Sequence, residues 1–232
     1  MPYITRSRFA AMAQNPRDVK NRKEEKPYGL CVHTTGRGIL DKAKTRNVSP
    51  LTYALQFYTT PGNNFAHYVC AGDGTLIQIA DERECAWHVR IEPKDYALML
   101  SGEWESKISH HAREEWKKRW PKLTSPIDLL PKGETSPNQC YIGIELIPSH
   151  SLIRDSSQGY GLFTNAQYQV VNQLYRDMLD RYATTLLLVG HEDLNPIERS
   201  DNQGGWDPGA IRQEPRYFDW SRVVTTDIEG FI

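Results

Sequence analysis

The chain alternates between short, wholly apolar runs and longer stretches with helical periodicity. YGLCVH (residues 28–33) is an apolar run that stops at Thr34-Thr35-Gly36, the pattern of a buried strand. Ser49 and Pro50 supply an N-cap and a first-turn proline, predicting a helix through LTYALQFY that ends before Pro61-Gly62. FAHYVCA and TLIQIA flank Gly72-Asp73-Gly74, where glycine offers the positive φ of a tight hairpin connection. CYIGIELI (140–147) and TTLLLVGH (184–191) are two more buried strands, the second ending on a histidine. Between them Thr164 and Gln167 form a T-x-x-Q capping box. Val171, Leu174, Tyr175, Met178, Leu179 and Tyr182 then follow the i, i+3, i+4, i+7 spacing of an amphipathic helix. Strand and helix patterns interleave, so the expected fold class is α/β, with a central mixed β-sheet flanked by helices.

Two regions depart from this rhythm. Residues 1–27 are polar and basic, with Arg6, Arg8, Arg17, Lys20, Arg22, Lys23 and Lys26, and read as an arm on a single domain spanning 28–232. Residues 94–139 read as a helical insertion, charged and helical to Pro121 and a Pro- and Ser-rich loop beyond it. Its Trp104, Trp116 and Trp120 suit either a cap over a groove or packing of the insertion onto the body. Adjacent helical residues point about 100° apart, so His110-His111 is a solvated pair rather than a chelate.

Composition narrows the classes. A formal net charge of -1 supplies no global field toward nucleic acid or anionic membrane. No apolar run reaches the roughly 18 residues a membrane helix needs, and the N-terminus has no apolar core of a signal peptide. Four cysteines occur without a C-x-x-C pair, which excludes zinc-ribbon and thioredoxin motifs and leaves core thiols as the reading.

The candidate chemistry sits at strand ends. His33 and His191 each follow an apolar strand, where side chains emerge toward a cleft, and neutral imidazole is the commonest protein metal ligand. Downstream, Asp207-Pro208-Gly209 holds an aspartate on a rigid turn. Two histidines and one carboxylate leave the fourth tetrahedral position open to water, the arrangement of a catalytic zinc.

Six segments then occur in order: His33-Thr34-Thr35-Gly36; Ala66-His67-Tyr68-Val69 with Asp73-Gly74-Thr75; Ala86-Trp87-His88; Ile142-Gly143-Ile144-Glu145-Leu146; Phe163-Thr164 to Gln167-Tyr168; and Gly190-His191-Glu192-Asp193. Together, from about residue 28 to 220, they resemble the type-2 N-acetylmuramoyl-L-alanine amidases, the zinc amidase superfamily that includes the peptidoglycan recognition proteins. The resemblance implies a zinc cofactor (Zn2+) in a groove beside the sheet. It implies His33 and His191 as ligands, Glu145 as the catalytic carboxylate, and His88 with Trp87 lining the substrate groove. His67 falls in the adjacent strand motif, also on the substrate side.

The third ligand departs from the family's compact K-x-D-P-G. Asp201 keeps the spacing from His191 and has a basic residue, Arg199, two positions earlier, whereas Asp207 carries the Pro-Gly turn. Asp207 is favoured, with Asp201 the alternative, and Arg199 is the nearby candidate to stabilise the transition state. The expected activity is zinc-dependent hydrolysis of the amide between N-acetylmuramic acid and L-alanine of the stem peptide. The alternative is a non-catalytic peptidoglycan-binding module. Expected partners are peptidoglycan or muropeptide fragments, with no nucleic acid and no membrane insertion, and the protein is expected to be a monomer. Without a signal peptide, a cytoplasmic location or delivery to the cell wall by a non-Sec route is expected.

Overall fold

Six strands, β1 (Thr5–Arg6), β2 (Gly29–Thr34), β3 (Tyr68–Cys70), β4 (Leu76–Gln78), β5 (Tyr141–Leu146) and β6 (Leu187–Gly190), form one sheet in the computed structural model. Their order is β1-β4-β3-β5-β2-β6, and only the β3–β4 pair is antiparallel. The described residues are 5–6, 26–60, 62–148, 163–184, 186–197 and 218–223. Seven α-helices lie among them: α1 (Gly36–Thr45), α2 (Pro50–Tyr58), α3 (Pro93–Ser101), α4 (His110–Arg119), α5 (Pro137–Cys140), α6 (Asn165–Tyr182) and α7 (His191–Leu194). The mixed α/β class expected from the interleaved pattern is the one observed.

The central strands are covered on both faces, which is why they read as continuous apolar runs rather than alternating ones. On one face Leu30, Val32, Ile142, Ile144, Leu146 and Leu188 pack with Val171, Leu174, Tyr175 and Met178 of α6. On the other, Cys31, Tyr141, Leu187 and Val189 pack with Trp104, Trp116, Trp120 and Leu129 of the insertion. All three of those tryptophans are buried, so they join the insertion to the sheet rather than cap a groove. A third cluster sets Ile39, Leu40 and Ala43 of α1 and Tyr53, Ala54 and Leu55 of α2 against Val69.

The capping signals behave as their chemistry predicts. Ser49 Oγ accepts from the Thr52 amide at 3.0 Å to start α2, and Thr164 and Gln167 exchange both bonds of their capping box at the head of α6. Helix α1 is an addition to the sequence reading, since two glycines in its first turn mask the buried stripe of Ile39, Leu40 and Ala43. The insertion is two helices rather than one: Gly102 takes a left-handed φ of 78° and ends α3, and Ser109 caps α4. The stretch expected as loop also holds a capped 3-10 turn, Pro126–Leu129, and α5. Within the N-terminal segment, Thr5–Arg6 pair with β4. All four cysteines are buried and none is in a disulfide. No described helix is long and apolar enough to cross a membrane.

Candidate metal centre

Register decides which side chains meet. In the parallel β2–β5 pair His33 lies opposite Glu145, and in the β2–β6 pair Val32 lies opposite Gly190, so His191 follows directly beyond the ladder. Side chains alternate along a strand, so Cys31 and His33 share one face of β2, as Tyr141, Gly143 and Glu145 share that face of β5. The candidate centre is thus at the carboxyl ends of adjacent parallel strands, where α/β sheets place their ligands. His33 and His191 are 1% exposed and Glu145 8%.

His33 stands between two other imidazoles. Its Nδ1 is 3.2 Å from Nδ1 of His191, and its Nε2 is 2.9 Å from Nδ1 of His88. His88 Nε2 in turn lies 3.1 Å from the Tyr141 carbonyl oxygen. A carbonyl only accepts, so His88 carries its proton on Nε2. Burial, and then the neighbouring His33 and His67 rings, hold the His88 pKa well below the ordinary histidine value. The His88 ring is therefore neutral, with Nδ1 as an acceptor, and the shared proton belongs to His33 Nε2. That tautomer turns the Nδ1 lone pair of His33 toward His191, the kind of orientation that outer-shell partners impose on metal-binding imidazoles.

Glycine makes room for this chain of rings. A Cβ on Gly143 would come within 2.8 Å of His88 Cγ, so the ring lies directly on the glycine of the IGIEL strand. The Gly143 amide donates to His67 Nδ1 at 3.0 Å, and His67 Nε2 lies 3.0 Å from the Glu84 carbonyl. Both ring nitrogens of His67 and of His88, expected at a substrate groove, are thus engaged inside the fold. Trp87, between them in sequence, is 54% exposed and remains presented to solvent.

The donors can be tested against zinc geometry. Two nitrogens held at about 2.0–2.1 Å on a tetrahedral ion stand about 3.3 Å apart. The His33–His191 separation of 3.2 Å fits that spacing, while 2.9 Å between His33 and His88 is an ordinary hydrogen-bond length. Cys31, His33 and His88 form a second possible group, with donor atoms all within 4.8 Å of one another. That group shares His33 with the His33–His191 pair. Cys31 is a donor the sequence reading passed over, although a C-x-H spacing on a strand places both residues on one face. Asp207, Asp201 and Arg199 lie outside the described residues.

The strand ends therefore gather imidazole nitrogens and a buried carboxylate, groups that metal-assisted hydrolysis can use. The chain belongs to the N-acetylmuramoyl-L-alanine amidase family, whose description matches residues 23–210. Comparison with curated protein sequences returns no match. Among solved structures, a selenomethionine AmpD derivative is 20% identical, covers 85% of this chain and 83% of its own, and has a TM-score of 0.41. Citrobacter freundii AmpD is 18% identical over 88% of this chain and 82% of its own, with a TM-score of 0.38. An endolysin from a Thermus scotoductus bacteriophage is 13% identical over 86% and 84%, with a TM-score of 0.41.

Proposed function

We propose that the chain is a zinc-dependent amidase that cleaves the bond between the lactyl group of N-acetylmuramic acid and L-alanine in peptidoglycan or muropeptides. The observation that carries this reading is the 3.2 Å approach of the His33 and His191 Nδ1 atoms, with Glu145 opposite His33, in a chain of the amidase family. His33, His191 and Asp207 hold the ion, Asp201 being the other candidate for the third position. Bound there, zinc supplies a Lewis acid that brings the pKa of water to roughly 7.

The remaining steps belong to side chains. Glu145 removes a proton from the attacking water and returns it to the leaving amine nitrogen, a role worth about 10²–10⁴-fold in rate. Its place on a buried strand fixes the carboxylate relative to His33. Arg199 stabilises the oxyanion that develops at the scissile carbonyl. Trp87 offers an exposed aromatic face to the glycan or stem peptide. The chain acts as a monomer.

The test joins metal content with release of dye from labelled peptidoglycan. Native protein is expected to hold one zinc and release dye, and Glu145→Gln to hold zinc and release none. Native protein that binds sacculi and zinc but releases no dye would be a binding module, and the enzyme reading would fall.

A further inference from the structure

His191 opens a helix of four residues, α7, which is too short to hold its own conformation. What fixes that turn is Asp193, two residues on and 2% exposed. Its Oδ2 accepts from the Gly190 amide at 2.6 Å, closing the turn on the strand that delivers His191. The other partners come from the far-off insertion. Arg119 Nη1 pairs with Asp193 Oδ2 at 2.6 Å, Trp120 Nε1 donates to Oδ1 at 3.0 Å, and Trp116 Nε1 donates to the Asp193 carbonyl at 3.0 Å.

These three residues are themselves held in place. The Arg119 guanidinium lies 3.4 Å over the Trp220 ring, and Trp104 packs edge-on against Trp116. At the other end of the insertion, Asn138 Oδ1 accepts from the amides of His88 and Val89 at 2.9 and 2.8 Å. The same insertion therefore grips the segments on both sides of His33: one that carries His88 and one that carries His191. A carboxylate this deeply buried is stable only with its charge and lone pairs answered, and two of its three partners, Arg119 and Trp120, come from the insertion.

We propose that the insertion is the outer support of the metal centre. Asp193, clamped by Trp116, Arg119 and Trp120 of the insertion, is a positioning residue for His191 and sets how tightly the centre holds zinc. The inference rests on the reading that His191 binds the ion. Outer-shell partners of metal-binding histidines are typically worth roughly 10- to 100-fold in metal affinity.

Trp116→Phe and Trp120→Phe, singly, remove one N–H donor each and keep an aromatic ring in the core. Zinc affinity is measured by competition with a chromophoric chelator, beside His191→Ala and Met99→Val. Met99 is buried in the same core and is a packing control with no hydrogen bond to Asp193. Each Trp variant is expected to bind zinc roughly 10-fold or more weakly than native protein. In metal-free protein, hydrogen exchange at the Gly190 amide should quicken in both Trp variants. Met99→Val should lower Tm and leave zinc affinity unchanged. Trp variants that bind zinc as Met99→Val does, while His191→Ala loses it, overturn the support role and leave the metal reading standing. Retention of zinc by His191→Ala overturns the metal reading itself.

Discussion

Across adjacent parallel strands, His33 and His191 point their Nδ1 atoms at each other from 3.2 Å. His88, accepting the proton on His33 Nε2, leaves His33 with a lone pair in that gap. A proton on His191 Nδ1 donates into that lone pair, and a cation shared by the two nitrogens would take the proton's place. A zinc ion there would tie His33 of β2 to His191 at the end of β6.

Zinc binding should therefore stabilise the fold. At a free zinc concentration 100 times Kd, linkage gives about 2.7 kcal/mol, or a rise in Tm of roughly 5–10 °C for a domain of this size. Scanning calorimetry of chelator-treated protein with and without zinc reads this shift. It should vanish in His33→Ala and in His191→Ala, and a shift that survives both would place the ion elsewhere.

Gly143 should be intolerant of any side chain. A Cβ there lies 2.8 Å from Cγ of the His88 ring, a rigid group held at both nitrogens. Gly143→Ala is expected to cost about 1–3 kcal/mol by overpacking and to weaken zinc binding as His88 is pushed off His33. Urea unfolding and chelator competition on the same sample check both effects. Wild-type stability in the variant would mean that the ring moves aside without penalty.

The buried, neutral His88 should leave a mark on acid stability. Its folded pKa lies below the ordinary value of 6.5, pushed there by burial and then by His33 and His67, with His191 adding a smaller push and the Tyr141 carbonyl opposing it. Below about pH 6.5 the unfolded chain takes up a proton that the folded chain refuses, so stability falls as pH drops through that value. In zinc-free protein, the loss of stability between pH 7.5 and 5.5 should be smaller in His88→Gln than in the native chain. Equal losses in the two would show that His88 is protonated as readily folded as unfolded.

Trp87 should matter to substrate and little to the fold. More than half exposed beside the buried histidine cluster, it can be shortened without opening a cavity. Trp87→Ala is expected to raise KM for muropeptide several-fold while zinc content and Tm stay near native. Steady-state kinetics on a soluble muropeptide read the difference, and an unchanged KM would remove Trp87 from the substrate path.

Much of the frame is legible along the chain because its causes are local. Ser49 with Pro50, and Thr164 with Gln167, satisfy amides within their own helix starts, so the start signals for α2 and α6 lie within a few residues. The runs at 28–33, 140–147 and 184–191 are apolar because both faces of those strands are covered. Helix α1 escaped because glycines at its start obscure the stripe that packs on the sheet. The break at Gly102 escaped because a glycine inside a charged stretch reads equally well as a tolerated helix residue. The motifs name His67 and His88 without saying which way their ring nitrogens face, and only the assembled fold shows what those nitrogens bond.

By itself, then, the sequence determined the strands and capped helices, the amidase family, and the arrival of His33 and His191 at strand ends. The strands, capped helices and strand-end histidines follow from periodicity and capping, which are local, and the family follows from the resemblance carried by six short segments in order. Only the tertiary structure decided that His88, 55 residues beyond His33, sets its tautomer, and that Trp116 and Trp120 of the insertion grip Asp193 more than 70 residues away. Hydrogen bonds between such distant residues depend on strand register and on how the insertion packs. Neither leaves a repeating pattern in the sequence, so the metal centre's geometry appears only once the sheet is assembled.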